Sequence, residues 1–413
     1  MEIFWFIVLV VVWTGFLLLE GFDFGVGMLH RVVGRDEQGR SLAIRTIGPV
    51  WDGNEVWLIV AIAATFAAFP SWYATALSAF YPLILIVLVA LILRGVSFEF
   101  RSHTTSDRSK NLWSGALVVG SLVAPLGLGI MLGGFLGGIP IDAREEFVGG
   151  FGDLFRPYAV LTGVTITLVS LLHGAVFLAM RTTEDIRMRA LGVAKILGPV
   201  VALVVIAWVA LTRFDSGGAL LSVIELATAI VVIAAALLVH VEREVAAFVA
   251  TCATTVGVVV SLFSELYPRV MVSSLGAAND LTVAGTASGS YALAVMTVVL
   301  VVLLPVILIY QGWTLHVFRN RVTRADLPED GGGHGPPPTA PPIAQAVVGA
   351  EREGGRNGQD PPPAEPESSY RRGFRFAAWV LSWAAALAVA LFRGRGGRSG
   401  AGRTSGPRPA AQR

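Results

Sequence analysis

The chain has 413 residues, of which 54% are apolar and 15% charged, with a formal net charge of +2 and a mean hydropathy of +0.68. Soluble domains carry about 25% charged residues, so this composition excludes an ordinary soluble globular protein. The single cysteine, Cys252, excludes an internal disulfide and a Cys-based iron–sulfur site. No basic patch is interleaved with aromatic residues in a predicted folded segment, which argues against nucleic-acid binding.

Repeated apolar runs predict an all-α polytopic membrane protein with nine transmembrane helices. The first run has no positively charged flank before it and exceeds the length of a signal peptide, so we expect it to be retained as a helix. Its glycines predict close contact with other helices. The predicted spans are 3–29, 49–69, 76–100, 112–136, 157–180, 191–212, 219–240, 245–267 and 289–318.

Basic residues are concentrated in alternate connections, and this distribution predicts the orientation. Arginines and lysines cluster after spans one, three, five and nine, whereas the loops after spans two, four, six and eight carry two basic residues at most. The positive-inside rule then places the N-terminus outside and the end of span nine in the cytoplasm.

The composition changes near residue 325, which predicts a membrane domain over 1–324. Residues 325–370 are rich in proline and glycine and predict a disordered linker. Residues 371–413 form a basic tail around one short apolar segment, 376–392. As a tenth span this segment would place its basic end outside, against the charge rule, so an interfacial helix is an equal alternative.

Two pairs of carboxylates interrupt the apolar runs near the N-terminus. Glu20 and Asp23 lie in span one, and Asp52 and Glu55 lie in span two. Each pair is spaced i, i+3, so its side chains share a helix face. Glu20 lies about 25 Å along span one, in a hydrocarbon core about 30 Å thick. The predicted orientation therefore puts all four acids at the cytoplasmic side of the membrane.

Span three ends at the same side and brings Arg94 and Glu99 to this level. Ionisable residues inside a membrane are costly and are a functional hypothesis by default. Neighbouring carboxylates in a low-dielectric bundle can carry protons near neutral pH, and Arg94 can hold one of them ionised. We therefore predict a proton-uptake site open to the cytoplasm. The alternative is structural. Asp52 and Glu55 would serve the positive N-terminus of span two. Asp23 would pair with a loop arginine, and Glu99 with Arg94 or Arg101.

His173, in the middle of span five, is a candidate haem ligand together with a methionine such as Met131 or Met296. No spacing supports that assignment, and a hydrogen-bonded histidine within the bundle is favoured. Without paired histidines at one depth, we predict no metal or haem site within this chain. A P-loop and a dinucleotide-binding fingerprint are also absent from the sequence.

Two motifs, Gly-Phe-Asp-Phe-Gly-Val-Gly at 21–27 and Trp-Asp-Gly-Asn-Glu-Val-Trp at 51–57, resemble subunit II of the cytochrome bd-type quinol oxidases. The similarity covers about residues 1–324, and the tail beyond departs from the family. Weaker similarities continue at 94–101, 173–175, 180–182, 267–268, 273–274 and 305–310.

The resemblance implies a complex of the bacterial plasma membrane that oxidises quinol and reduces O2 to water. In this family, subunit I carries the two b-type haems, haem d and the quinol-oxidation loop. Subunit II has two four-helix bundles plus one helix, supports assembly, and in some members holds a structural quinone. The implied partners are subunit I, small accessory subunits and the lipid bilayer, and no redox chemistry is expected from this chain alone.

By motif position, the resemblance places Glu20 and Asp52 on the family's cytoplasmic proton path. The family often has aspartate at the Glu20 position, so the acid is kept with a longer reach. The supporting candidates are Asp23, Glu55, Arg94 and Glu99, although some relatives have a neutral amide at the Glu55 position. A proton-coupled secondary transporter and a purely structural assembly subunit remain as alternatives, but acids clustered at one end of the helices argue against a transporter.

Overall fold

A computed structural model describes residues 1–213 and 219–327, which are helical almost throughout. The long helices are α1 (Glu2–Val33), α3 (Trp51–Ala68), α5 (Tyr81–His103), α6 (Asp107–Gly137), α7 (Pro157–Arg181), α8 (Glu184–Arg213), α9 (Ala219–His240), α10 (Glu244–Leu266) and α12 (Ser290–Val317). The shorter elements are α2 (Glu37–Arg45), α4 (Pro70–Ala79) and α11 (Val283–Thr286), with strands β1 (Arg269–Met271) and β2 (Leu281–Thr282) paired antiparallel.

Eight helices of the described chain are long and apolar enough to cross a membrane, namely α1, α5 to α10, and α12. The predicted second span corresponds to α3, which is not among these eight and carries Asp52, Asn54 and Glu55 in its first turns. The prediction of an all-α protein with multiple membrane helices is confirmed, and the count of nine stays a prediction. The chain forms two compact units. The larger unit contains Met1–Val295 and the chain that follows from Thr314, and the smaller unit contains Met296–Trp313 of α12.

The predicted third span, 76–100, is built from two consecutive helices instead of one. The interval 70–75, predicted as a loop, belongs to α4, which begins at Pro70. Proline is favoured in the first turn of a helix because its missing N–H has no partner there. Pro82 takes the same place in α5, and Phe80 between the two helices departs from helical geometry with φ −93° and ψ 10°.

Helix α1 lies at the centre of the larger unit and packs against α3, α6, α7 and α10. Its closest approach is to α7, where Gly25 faces Gly174. A Cβ atom added to Gly25 would lie 2.7 Å from the Gly174 Cα atom, so neither position has room for a side chain. Small residues allow helix backbones to approach in membranes. The predicted role of the span-one glycines in helix contact is confirmed at Gly25.

One set of helix ends is joined through Arg324, in the turn after α12. Its guanidinium lies 2.9 Å from the Asp36 carboxylate after α1 and 3.1 Å from that of Asp185 at the start of α8. Its hydrogen bond, together with one from the Gly39 N–H, holds the pKa of Asp36 below its ordinary value. The ends of α1, α7 and α12 therefore lie on the same side of the larger unit.

The opposite helix ends are joined by a second set of contacts. The Trp5 indole N–H donates to the Leu293 carbonyl at 3.2 Å, linking the starts of α1 and α12. The Ser288 hydroxyl donates to the Ala67 carbonyl at 2.7 Å, linking the end of α3 to the same region. The helix ends therefore form two groups on opposite sides, as expected for consecutive helices that cross a membrane in alternating directions.

The predicted domain boundary near residue 325 falls in a short 3-10 turn at Arg324–Asp326. The predicted linker beyond residue 327 and the basic tail at 371–413 lie outside the described residues.

Candidate functional site

A buried ion cluster joins α1, α3 and α5 through the Arg94 side chain. Arg94 and Glu20 are both fully buried, and a guanidinium nitrogen of Arg94 pairs with Oε1 of Glu20. The same nitrogen lies 3.7 Å from Oε2 of Glu55, whose side chain is 24% exposed. One cation therefore faces two carboxylates, one sealed in the protein and one in contact with its surface.

Asp23 lies one turn beyond Glu20 on α1 and is also fully buried. Its Oδ2 atom accepts a hydrogen bond of 2.7 Å from the side-chain amide of Asn54, and its Oδ1 atom has no hydrogen-bond partner within the described chain. An isolated buried carboxylate is costly unless it is paired or neutralised. Asp23 therefore adds a second buried carboxyl group of α1 to the site. Its partner is the neutral amide of Asn54, whereas the partner of Glu20 is the cation of Arg94.

Two aromatic rings hold the Arg94 guanidinium in position. Its central carbon lies 5.0 Å from the centre of the Phe24 ring and 5.5 Å from that of Phe98. A guanidinium at this distance from an aromatic ring is attracted by a cation–π interaction. On α6, a Cβ atom at Gly120 would lie 3.0 Å from the Arg94 Cβ atom, so this glycine lets α6 pack against the arginine. The charge is therefore fixed between packed helices.

Two of the predicted site residues lie outside this cluster. Asp52 is exposed in the first turn of α3, the position expected if it serves the helix N-terminus. Glu99 is 76% exposed, and its Oε1 atom lies 3.5 Å from Nδ1 of His103. Arg101, the other expected partner of Glu99, instead pairs with Glu37 at 2.7 Å.

The buried polar residues outside the predicted site include Asn54, Glu225 and Glu265. Asn54 lies within the 51–57 motif and carries no charge, so a search for ionisable residues does not select it. Glu225 and Glu265 are 3% and 5% exposed in α9 and α10, and Arg213 lies 3.4 Å from Glu225. Both acids lie inside predicted spans, so the criterion that selected Glu20 would have selected them too.

His173 is fully buried and uses both ring nitrogens. Nε2 lies 3.3 Å from the Leu18 carbonyl oxygen, and Nδ1 lies 2.7 Å from the Thr251 hydroxyl. Nε2 can donate to the Leu18 carbonyl, and the single hydrogen of the Thr251 hydroxyl is shared between Nδ1 and the Phe248 carbonyl oxygen, 2.8 Å away. The ring also stacks on Phe248 at 4.7 Å between centres. This environment favours the hydrogen-bonded role over haem ligation, because no ring nitrogen is left for iron.

No group of three or more potential metal ligands occurs in the part of the chain that the structure describes. An apolar groove of about 130 Å³ lies among α1, α3, α4, α5 and α6. Trp72, one of its lining residues, has an indole N–H without a hydrogen-bond partner in the described ranges. Other lining residues are Trp13, Leu58, Thr65, Ala76, Leu128 and Met131.

The fold and the cluster define a polytopic helical membrane protein with ionisable groups buried near one end of its helices. Residues 1–318 match the sequence model of the family described as cytochrome bd terminal oxidase subunit II, and the chain belongs to that family. It is thus a subunit of a quinol oxidase complex and a multi-pass bacterial membrane protein. The family predicted from the two N-terminal motifs is confirmed.

Relatives extend the match over most of the chain. It is 40% identical over 327 residues to the Bacillus subtilis cytochrome bd ubiquinol oxidase subunit 2, covering 78% of this chain and 97% of the relative. It is 32% identical over 363 residues to the Escherichia coli K12 cytochrome bd-I ubiquinol oxidase subunit 2, covering 78% and 95%. A chain of the Geobacillus thermodenitrificans bd oxidase structure superposes with a TM-score of 0.58 at 18% identity, covering 77% and 98%, and supports the fold.

Proposed function

We propose that this chain supports assembly of the haem-bearing subunit I and supplies protons from the cytoplasm for O2 reduction in that partner. The observation that carries the proposal is the buried contact of Arg94 with Glu20 and, more distantly, with Glu55. Reduction of O2 to water consumes one proton for every electron, so a buried oxygen site needs a proton supply through the protein. Quinol and O2 are the substrates of the whole complex.

The charges of the cluster suggest how it handles a proton. With Glu20 and Glu55 both ionised, one arginine opposes two negative charges, and the excess charge is costly in a low-dielectric interior. One proton shared between the two carboxyl groups removes this excess. Glu55 is partly exposed and Glu20 is sealed, so uptake at Glu55 and transfer toward Glu20 follows the direction from surface to interior. Asp23, one turn away, is the next acceptor.

The orientation is also part of the proposal. Asp36, Asp185 and Arg324 lie at the same side of the larger unit, in or beside connections rich in arginine. The positive-inside rule makes that side cytoplasmic and leaves the N-terminus outside. The acids of α1 lie in the half of the helix nearest Asp36, so the cluster opens toward the cytoplasm.

A count of nine spans follows if α3 crosses with the eight more apolar helices. The proposed arrangement is two four-helix bundles and one further helix. It is supported by contacts of α1 with α3 and α6, of α5 with α6, and by those among α7, α8, α9 and α10.

The cofactors of the complex divide between the two subunits in this proposal. Two b-type haems and one haem d are assigned to subunit I on the resemblance to the family, and His173, with both ring nitrogens engaged, is not proposed as a haem ligand. A structural quinone is proposed to place part of its isoprenoid tail in the apolar groove, whose lining is almost entirely apolar. Small accessory subunits complete the set of proposed protein partners.

Glu20→Gln is expected to slow quinol-driven O2 reduction by at least about tenfold, a barrier increase of about 1.4 kcal/mol. The amide keeps the size of the side chain but cannot carry the proton. Asp52→Asn tests the family's second proton-path position, which is exposed in this chain. The measurement is O2 consumption by the purified complex at matched haem content, with Glu146→Gln in an exposed loop as the control.

The same variants separate the alternatives. Normal turnover in both Glu20→Gln and Asp52→Asn would remove the proton-path proposal. Loss of haem from the purified complex would favour a purely structural subunit. Solute flux by this chain alone in liposomes would favour the proton-coupled transporter.

Deletion of residues 330–413 is expected to leave haem content and O2 consumption unchanged. The family match ends at residue 318, and the last described contacts of the chain lie at Arg324–Asp326. The truncated and full-length chains are compared by reduced-minus-oxidised spectra and turnover. A truncated chain that inserts and binds subunit I but has lost activity would show that the tail is required.

A further inference from the structure

His30 is a buried histidine on the same face of α1 as the acidic cluster. The positions Glu20, Asp23, Gly27 and His30 are separated by three or four residues, the spacing of neighbours along a helix face. His30 is fully buried, and its Nδ1 atom lies 2.7 Å from the Gly27 carbonyl oxygen. Because a carbonyl can only accept, Nδ1 carries the hydrogen and Nε2 of the neutral ring presents a lone pair. Nε2 has no hydrogen-bond partner among the described residues.

Ser121 on α6 is a second unpaired polar group next to the same stretch of α1. Its side chain is fully buried, and its hydroxyl has no hydrogen-bond partner in the described ranges. A Cβ atom at Gly27 would lie 2.8 Å from the Ser121 Cβ atom, so the glycine makes room for the serine. The preceding residue, Gly120, packs against Arg94. Ser121 therefore lies between the His30 end of α1 and the arginine of the cluster.

A network of polar side chains at the surface lies close to the end of α1 that carries His30. Arg101 binds the Ser114 hydroxyl at 2.8 Å and the Glu37 carboxylate at 2.7 Å. Ser114 lies seven residues before Ser121, on the same face of α6. Glu37 is 37% exposed, so it reaches solvent.

We propose that His30 and Ser121 line the cytoplasmic inlet of the proton path, between the surface network at Arg101 and the acids of α1. This inference rests on the proposed function, because it concerns the route to that site. Buried polar atoms without partners cost about 1–3 kcal/mol each. His30 and Asp23 share one face of α1, and Ser121 packs beside that face at Gly27. Water in this region can join the lone pair of His30, the hydroxyl of Ser121 and the free oxygen of Asp23. Nε2 of His30 and the Ser121 hydroxyl hydrogen-bond to this water, and a proton moves inward along it while each side chain keeps its own protonation state.

The test replaces His30 by phenylalanine, which keeps a planar ring and removes the nitrogen that hydrogen-bonds to this water. The expected result is at least about a tenfold slower O2 consumption at saturating quinol, with the quinol KM and the haem spectrum unchanged. His30→Ala should be slowed similarly and partly restored by added imidazole. Ser121→Ala removes one buried oxygen and should slow turnover in the same direction. His103→Phe, at an exposed position near the same side, is the control.

A His30→Phe complex with full haem content and full turnover overturns the inference. If that variant does not assemble, Ser121→Ala decides: full turnover overturns the inlet, and slowed turnover without a change in KM supports it. Glu20→Gln measured in parallel separates the two proposals. If O2 consumption is slowed in Glu20→Gln but not in His30→Phe, the proposed site is kept and the inlet is rejected. Full turnover in both variants rejects the proton path itself.

Discussion

Replacing Arg94 by glutamine is expected to destabilise the protein by about 3–5 kcal/mol, the usual result of breaking one partner of a buried ion pair. Arg94 and Glu20 are both fully buried, so the variant leaves a carboxylate without its counter-ion. The cation–π contacts with Phe24 and Phe98 are lost as well. The effect is measured by thermal unfolding of the purified complex, with haem release as the signal that reports unfolding.

The double variant Arg94→Gln with Glu20→Gln tests the physical cause. Removing both charges is expected to recover much of the lost stability, because two amides of similar shape leave no buried charge. Arg35→Gln, at an exposed position after α1, is the control and should change little. A single variant as stable as the wild-type protein would show that Glu20 does not depend on this arginine.

Adding a single methyl group at Gly25 is expected to have the second large effect. In Gly25→Ala, the new Cβ atom would lie 2.7 Å from the Gly174 Cα atom and 2.8 Å from its nitrogen, so α1 and α7 must separate. Overpacking of this kind costs about 1–3 kcal/mol and sometimes more. The expected result is a lower unfolding temperature and less complex in the membrane, and Gly25→Val should be worse.

The matched control for Gly25→Ala is Gly192→Ala on α8. A Cβ atom there has no heavy atom within 4 Å, and alanine favours a helix over glycine by about 1 kcal/mol. Its stability is expected to be unchanged or higher. Gly174→Ala should reproduce the Gly25 effect, and the double variant should cost less than the sum because both positions form one contact. Equal stability of Gly25→Ala and Gly192→Ala would contradict the close crossing.

Hydropathy predicted the membrane helices, because it depends on composition along the chain. It did not predict which side chains face inward, because helix rotation depends on neighbouring helices. Asn54, two residues after Asp52, points about 200° around the helix from it, and on α3 the amide faces inward while the acid is exposed. Glu99 is about 140° around α5 from Arg94, so helical geometry alone argued against placing both in one cluster.

Local polar structure was harder to predict from hydropathy. Helix α2 is amphipathic and short, and it begins where the Asp36 carboxylate accepts a 2.7 Å hydrogen bond from the Gly39 N–H. The break at Phe80 lies inside an apolar stretch, so no change in hydropathy marks it. The buried acids Glu225 and Glu265 lie inside predicted apolar spans, so their positions were identifiable from the sequence.

The most direct measurement of the central claim is the rate of proton uptake from the cytoplasmic side. Inside-out membrane vesicles expose that side to an external pH-sensitive dye while quinol drives O2 reduction. In the Glu20→Gln complex, at matched haem content, uptake is predicted to slow at least about tenfold, in step with O2 consumption. Uptake at the wild-type rate would contradict the assignment of the Glu20–Arg94 cluster to the proton path.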